Sequence, residues 1–257
     1  MEELSLLIPA AIMVGIVMGL LGSGGSILSV PILVYLVGQD GKVAIGGSLA
    51  IVGMIALFGS LAYIKDKLVD WRSVWFFGIP GMMGTYGGAA LAGLVPTIVQ
   101  LLTFGLVMLV SSYMMLRPVA INESGSSERH PYKIVIDGLL VGILTGFVGV
   151  GGGFLIVPAL ALLGGLPIRV AVGTSMLIIF LKSSAGFIKY VDVLNELNLV
   201  LDYKIIILFT TVGILGSFLG KFVSNKIPQD LLKKGFGGFL IIMGGFILVR
   251  SLIDLSA

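Results

Sequence analysis

The segment from Gly15 to Leu33, GIVMGLLGSGGSILSVPIL, is an apolar stretch broken by closely spaced glycines, and it decides the fold because it occurs twice. From Gly142 to Leu160 the chain has GILTGFVGVGGGFLIVPAL, 127 positions later. The glycines and the Val-Pro dipeptide that follows them keep the same spacing in both copies. A register maintained over so many positions indicates an internal duplication.

The composition indicates an integral membrane protein. Hydrophobic residues make up 57% of the 257 residues and charged residues 11%, whereas soluble domains are about 25% charged. Apolar runs of about 20 residues are long enough to cross the membrane as helices, and the alternating pattern of membrane-spanning strands is absent. The sequence therefore predicts an all-α polytopic membrane protein. Since the chain has no cysteine, disulfides and thiolate metal sites are excluded.

Each copy contains one glycine-broken segment followed by three apolar spans. The most hydrophilic stretch, Asn122 to Lys133, separates the copies and predicts a linker. The predicted organisation is a first repeat over 1–121, a cytoplasmic linker over 122–133 and a second repeat over 134–257. The broken segments are predicted at about 5–38 and 134–165, and the spans at 43–64, 73–93, 98–117, 169–191, 204–224 and 231–253.

The orientation of the copies depends on whether the broken segment crosses the membrane or enters and returns. If it crosses, the copies are parallel, and the Lys and Arg residues other than Lys182 divide nine to six between the two sides. If it is re-entrant, the copies are inverted and the division is eleven to four. The positive-inside rule favours inverted repeats, with both termini outside and the linker in the cytoplasm. The eleven residues are Lys65, Lys67, Arg72, Arg117, Arg129, Lys133, Arg169, Lys221, Lys226, Lys233 and Lys234.

The two glycine clusters are the predicted substrate-binding regions. Clustered glycine disfavours helix, and non-helical backbone at membrane depth is tolerated only when it is buried in protein or lines a wet cavity. A helix that starts at such a break presents free N–H groups, which attract anions. Glycine pairs outside the clusters, such as Gly15 with Gly19, instead predict close helix packing. The predicted binding residues of the clusters are Gly22, Ser23, Gly24, Gly25, Ser26, Gly149, Gly151, Gly152 and Gly153.

Further candidates lie in the spans that follow each cluster. The side chains of Ser48, Thr174 and Ser175 either line the same cavity or bond back to their own helix carbonyls, and the sequence leaves both open. Lys182 is the only basic residue well inside a predicted span, which makes it a candidate for a substrate or gating role. Its long stem could alternatively carry the charge to the membrane surface.

Five aromatic residues lie near predicted span ends, where aromatic residues of membrane proteins meet the interface. We therefore expect an interfacial location for Trp71, Trp75, Tyr63, Tyr190 and Tyr203.

The duplicated pattern G-x-x-G-x-G-G-x-x-x-x-V-P-x-L, beginning at Gly19 and again at Gly146, resembles the TauE/SafE membrane transporter family. The stretch Val170 to Ser175, VAVGTS, resembles the second recurrent signature of that family. The resemblance implies a permease of the bacterial or archaeal inner (cytoplasmic) membrane for sulfite, sulfonates such as sulfoacetate, and related small organosulfur anions. It also implies a core site in the two glycine clusters, supported by Ser48, Thr174 and Ser175. It assigns no role to Lys182.

The expected function is a secondary transporter that works by alternating access around the broken segments, and a passive small-anion channel is the alternative. An enzyme is not expected, because the only histidine lies in the predicted linker and no intramembrane carboxylate pair is present. We expect no cofactor and no nucleic-acid partner, since the basic residues are scattered. The expected partners are the anionic substrate and membrane lipid, and a homodimer is among the options for the oligomeric state.

Overall fold

The computed structural model describes residues 2–22, 24–116, 131–149, 153–224 and 226–256. Within these ranges the chain forms helices and no strand, which confirms the predicted all-α class. Most of the predicted linker lies outside them. The helices are α1 (Glu2–Leu21), α2 (Gly24–Pro31), α3 (Gly41–Lys65), α4 (Trp71–Gly93), α5 (Thr97–Leu116), α6 (Pro131–Val148), α7 (Gly153–Pro158), α8 (Ile168–Glu196), α9 (Tyr203–Ser224) and α10 (Gln229–Ser256).

Three aspartates begin long helices. The side chains of Asp40, Asp70 and Asp202 each accept a hydrogen bond from a backbone N–H two or three residues later, at the starts of α3, α4 and α9. An aspartate in this position satisfies an N–H group that the helix itself leaves free. The predicted span boundaries agree with the helices to within a few residues, except that α8 continues to Glu196, five residues beyond the predicted end at 191.

The Val-Pro dipeptide of each copy ends a short helix in the same way. After Pro31 and after Pro158 the helix widens into a π-helical turn, Ile32–Leu36 in the first half and Ala159–Leu163 in the second. Proline has no backbone N–H and its ring crowds the preceding turn, so the regular hydrogen-bond pattern cannot continue through it. Both broken segments therefore end in a deformed turn before the next long helix begins.

Glycine seams join helices of opposite halves. A Cβ atom at Gly15 or Gly19 of α1 would collide with the carbonyl oxygen of Gly213 or Ser217 of α9, so the two backbones touch. The second contact lies four residues further along both α1 and α9, so the two helices run parallel. This confirms the close packing predicted for these glycines. The seam between α4 and α6 is built likewise from Gly84, Gly88, Gly142 and Gly146.

Helices α3 and α8 cross each other in opposite directions. Gly46, near the start of α3, lies beside Tyr190 near the end of α8, whereas Gly59, near the end of α3, lies beside Met176 near the start of α8. The two helices are well buried and form the centre of the bundle together with α2 and α7, which contact each other.

The outer surface is apolar. Along α9 the side chains of Ile207, Leu215 and Phe222 are all more than 60% exposed, and such a stripe of large apolar residues would be unfavourable in water. By length and composition, α3, α8 and α9 are helices that can cross a membrane. The surface and the helix lengths agree with the membrane protein predicted from the composition.

Candidate functional site

The first glycine cluster interrupts the helix, as predicted. Helix α1 ends at Leu21 and α2 begins at Gly24, and we call this interruption break 1. Gly22 within it has a φ of 71°, a backbone conformation that other residues adopt only with strain. A Cβ atom at Gly22 would also lie 2.8 Å from Ser175 Oγ and from the carbonyl oxygen of Val172. Break 1 is thus packed tightly against α8, in the opposite half of the chain.

The second cluster interrupts the helix between Val148, the last residue of α6, and Gly153, the first of α7. We call this interruption break 2. Gly149 has a φ of 73°, and a Cβ atom there would collide with Ile45 of α3. Ser48 Oγ donates a hydrogen bond of 2.8 Å to the Gly149 carbonyl oxygen. Break 2 is therefore held by α3, just as break 1 is held by α8.

The remaining cluster residues are placed less completely. Gly25 is buried against α1, where a Cβ atom would collide with the carbonyl oxygen of Val14. Ser26 is fully buried, and its carbonyl oxygen accepts a hydrogen bond from Ser29 Oγ at 2.9 Å. Gly24 is the first residue of α2. The predicted site residues that lie outside the described ranges are Ser23, Gly151 and Gly152.

The three predicted hydroxyl groups are fully buried. Ser48 and Ser175 each donate a hydrogen bond to the carbonyl three residues earlier, which is the back-bonding alternative. Ser48 Oγ is also 2.8 Å from the Gly149 carbonyl oxygen, so its one hydroxyl proton is shared between its own helix and break 2. Thr174 Oγ1 accepts a hydrogen bond of 2.8 Å from the backbone N–H of Asp70. These hydroxyls therefore tie the breaks and the α3–α4 loop to the central helices.

The two breaks lie at different levels along α8. Ser175 contacts break 1, whereas Gly186 lies against Leu49, the residue next to the Ser48 that bonds break 2. At about 1.5 Å per residue, the 11 residues from Ser175 to Gly186 correspond to about 16 Å. The predicted site residues thus form two groups, one at each break, and α2 and α7 meet between them.

Lys182 lies between these two levels and is fully buried. Its stem packs against Gly81 of α4, and Nζ is 6.0 Å from the centroid of the Phe77 ring. Among the residues that the structure describes, Nζ has no hydrogen-bond partner, and neither does the hydroxyl of the adjacent Ser183. The side chain does not carry its charge to the surface, so the snorkelling alternative does not hold in this conformation.

A second buried lysine, Lys42, lies near break 2 and has several partners. Its Nζ donates hydrogen bonds to the carbonyl oxygens of Ala92 and Val95, the latter at 2.8 Å, and to Gln100 Oε1 at 2.6 Å. Gln100 Nε2 donates in turn to Tyr190 OH at 2.8 Å and to the Phe147 carbonyl oxygen at 2.6 Å. This cluster, the Lys42 network, joins α3, α5, α8 and the end of α6 beside break 2.

An ion pair lies near break 1. Lys221 Nζ of α9 is 2.8 Å from Asp66 Oδ2, just after the end of α3, and 4.5 Å from the centroid of the Tyr63 ring. The hydrogen bond and the positive charge of Lys221 lower the pKa of the Asp66 carboxyl. Tyr63 OH donates a hydrogen bond of 2.7 Å to the Gly19 carbonyl oxygen, in the last turn of α1. We call Lys221, Asp66 and Tyr63 the Lys221 cluster.

The interfacial location expected for Tyr63 and Tyr190 is wrong. Both side chains are buried and their hydroxyls belong to the two clusters beside the breaks. Trp71, Trp75 and Tyr203 are at least half exposed, as an interfacial location requires. A position near a span end does not show whether an aromatic side chain is exposed or packs against a neighbouring helix.

Comparisons with known proteins assign the chain to a family. The family model for the sulfite exporter TauE/SafE matches residues 7–247. The chain belongs to the TauE/SafE family. It is 33% identical over 253 residues to a probable membrane transporter protein of Xylella fastidiosa (strain 9a5c), covering 95% of both chains. It is 28% identical over 261 residues to the probable membrane transporter protein MJ0441 of Methanocaldococcus jannaschii, covering 96% of this chain and 97% of that protein. No solved structure matches it.

A further relative has the same description. The probable membrane transporter protein YunE of Bacillus subtilis is 36% identical over 210 residues, covering 72% of this chain and 77% of that protein. The family and the relatives' names agree on a membrane transporter. In the part of this TauE/SafE chain that the structure describes, no group of His, Cys, Asp or Glu side chains could hold a metal ion.

Sequence reasoning missed Gln100, although one signal could have found it. It is the only amide side chain within the predicted spans, and an amide inside the membrane needs hydrogen-bond partners. Asp66 and Lys221 gave no such signal, because both lie at helix ends, where charged residues are common.

Proposed function

We propose that this TauE/SafE protein is a secondary transporter that moves a small organosulfur anion, such as sulfite, sulfoacetate or another sulfonate, across the cytoplasmic membrane by alternating access. The observation that carries the proposal is the pair of breaks, each of which is held by a helix of the opposite half. Gly22 lies against Ser175 of α8, and Gly149 is bonded by Ser48 of α3. Secondary transporters place substrates at discontinuous helices between two repeats.

The course of the first half supports a re-entrant broken segment. The hydrogen bond from Tyr63 to Gly19 places the end of α1 beside the end of α3. The chain must then return to the start of α3 at Gly41 within the intervening 24–40 segment. Helix α2 with its π-helical turn covers 24–36, which at about 1.5 Å per residue corresponds to about 20 Å. The segment therefore enters with α1 and returns with α2.

The directions of α3 and α8 support inverted rather than parallel repeats. These two helices occupy corresponding places after the glycine clusters of the two halves, yet they run in opposite directions. The Lys221 and Asp66 side chains also meet, although the parallel arrangement would place the end of α9 and the end of α3 on opposite sides of the membrane. An inverted, multi-pass protein with its linker in the cytoplasm accounts for both observations and for the distribution of positive charge.

The polar surface offered to the anion consists of the two breaks, residues 22–26 and 149–153, together with Ser48, Thr174, Ser175 and Lys182. N–H groups at the start of α2 lack acceptors within that helix and suit a negatively charged ligand. Because Ser48, Thr174, Ser175 and Lys182 are all buried, this conformation is closed at these positions. Access then requires a movement of the two halves relative to each other, which favours a carrier over an open channel.

Transport by the purified full chain in liposomes tests the proposal. We expect liposomes that contain the protein to accumulate labelled sulfite or sulfoacetate faster than protein-free liposomes, and unlabelled substrate inside to accelerate entry several-fold. Acceleration by substrate on the opposite side is a property of carriers. Entry that is unaffected by substrate on the opposite side would indicate a passive channel, and absence of entry for all of sulfite, thiosulfate, sulfoacetate and taurine would contradict the proposed function.

A further inference from the structure

Lys182 is a buried lysine whose amino group has no counter-ion among the described residues. It lies in the middle of α8, with its whole side chain inaccessible to solvent. No carboxylate or other acceptor among the described residues bonds Nζ, and Phe77 is at the outer limit of a cation–π contact. A charged ammonium in such surroundings is costly unless a negative group accompanies it.

The other buried lysines show what a satisfied cation looks like in this fold. Lys42 has three oxygen acceptors, and Lys221 pairs with Asp66. Lys182 has neither arrangement, although Ser183 beside it also has a hydroxyl without a partner. Lys182 has no counterpart in the first half, where the corresponding position is Ile55.

The position of Lys182 places it between the two breaks. It follows Ser175 by seven residues, so the two side chains lie on one face of α8 about two turns apart. Gly186, which lies beside Leu49 near break 2, is one turn further on. An anion that passes from one break to the other along this face of α8 therefore passes the ammonium group.

We infer that Lys182 is the group that neutralises the transported anion, and that the substrate accordingly carries one net negative charge. The inference rests on the proposed anion transport and narrows its substrates to monoanionic organosulfur compounds, so that sulfoacetate, a dianion, is expected to be a weaker substrate than a monoanionic sulfonate. A monoanion beside Lys182 leaves the buried site neutral. A dianion leaves one negative charge unpaired and a zwitterion leaves the ammonium uncompensated, and each is costly at membrane depth. The residues around the breaks that lie outside the described ranges, Ser23, Val150, Gly151 and Gly152, have no charged side chain that could change this balance.

Three sulfonates of similar size test the charge rule: isethionate with one negative charge, sulfoacetate with two, and taurine with none. Isothermal titration calorimetry on the purified full chain is expected to give at least tenfold tighter binding of isethionate than of the other two. The Lys182→Met variant is expected to bind isethionate at least tenfold more weakly, and Lys182→Arg to retain most of the affinity.

A structural role for Lys182 gives a different result. If the lysine only supported packing, Lys182→Met would lower the melting temperature, whereas removal of an unpaired buried charge is expected to maintain or raise it. Isethionate should raise the melting temperature of the unchanged protein and not that of the variant. The matched control is Lys189→Met, which removes a cation from the same helix that already pairs with Asp192 at 3.5 Å, and it should bind isethionate normally.

Two outcomes separate the inference from the function on which it rests. Tightest binding of sulfoacetate or taurine, or unchanged isethionate affinity in folded Lys182→Met, would overturn the role of Lys182 and leave anion transport standing. Absence of binding for all three sulfonates and for sulfite would overturn both.

Discussion

At the scale of single residues, the breaks depend on glycines that meet two requirements at once. Gly22 and Gly38 have nearly equal φ angles, 71° and 72°. Their surroundings differ, because a Cβ atom at Gly22 would meet Ser175 and Val172, whereas one at Gly38 would have nothing within 4 Å. The pair therefore separates the cost of the backbone conformation from the cost of the contact with α8.

Gly22→Ala is expected to lower stability more than Gly38→Ala. The left-handed conformation costs a residue with a side chain about 1–2 kcal/mol, and both variants bear this cost. Gly22→Ala must also displace Ser175 or the α8 backbone, so its melting temperature should be lower than that of Gly38→Ala by several degrees, at about 2–4 °C per kcal/mol. Thermal unfolding of the detergent-solubilised variants measures both values.

Transport distinguishes the two variants further. Gly38→Ala should transport at close to the normal rate, and Gly22→Ala should transport much more slowly even when it is folded, because break 1 can no longer pack against α8. Equal stability and equal transport of the two variants would show that the contact between Gly22 and Ser175 has no importance.

At the scale of helices and their contacts, the helix ends beside the two breaks are joined by different kinds of interaction. The Lys221 cluster joins the ends of α3 and α9 beside break 1 through an ion pair. The Lys42 network joins α3, α5 and α8 beside break 2 through hydrogen bonds to neutral acceptors. Since salt screens the attraction within a partly exposed ion pair more than it weakens buried hydrogen bonds to neutral acceptors, the contacts beside break 1 should respond to ionic strength more strongly than those beside break 2.

Asp66→Asn is expected to lower the melting temperature, because it removes the negative charge that pairs with the largely buried Lys221 ammonium. Added salt should narrow the difference from the unchanged protein. The pKa of the Asp66 carboxyl is lower in the folded protein than in the unfolded chain, where it is near 3.8. The contribution of the ion pair to the free energy of unfolding is therefore fully present above the unfolded pKa and is lost as the pH falls through the folded pKa. The difference should thus be constant between about pH 5 and 8 and disappear only in stronger acid.

Asp192→Asn serves as the matched control. Its partner Lys189 is more exposed than Lys221, and the two charges are 3.5 Å apart, so the loss should be small. An equal or larger loss of melting temperature in Asp192→Asn than in Asp66→Asn would contradict the stabilising role of the ion pair between Lys221 and Asp66.

The sequence predicted the helices better than the contacts between them. Breaks at Gly22 and Gly149 follow from local glycine content, and the seams at Gly15 and Gly19 follow from residue spacing. The bonds from Tyr63 to Gly19 and from Gln100 to Tyr190 join residues 44 and 90 positions apart. Such contacts depend on which helix lies beside which, and hydropathy shows only that a helix is apolar. That Lys182 Nζ has no hydrogen-bond partner among the described residues is also a property of the packed bundle.

At the scale of the whole molecule, each half is completed by the other. Helix α1 packs along α9 and α6 along α4, while α3 crosses α8 and α5 packs against α10. Gly22 of break 1 contacts Ser175, and Gly149 of break 2 is bonded by Ser48, so each break is packed against a serine of the opposite half. In the proposed alternating-access mechanism, a movement of one half against the other would therefore change the contacts of both breaks.

The orientation of the two copies can be tested directly, because the chain contains no cysteine and single cysteines can be introduced without removing native ones. Lys65→Cys, Glu196→Cys and Lys226→Cys replace exposed residues at helix ends or in a loop. In the inverted arrangement, positions 65 and 226 lie in the cytoplasm and position 196 lies outside, so a membrane-impermeant maleimide added to intact cells should label only Glu196→Cys. In the parallel arrangement, positions 65 and 196 share one side and position 226 lies on the other. Labelling after lysis controls for reactivity. Any pattern in which positions 65 and 226 differ would exclude inverted repeats, because that arrangement places both positions on one side of the membrane, and it would also conflict with the ion pair between Asp66 and Lys221.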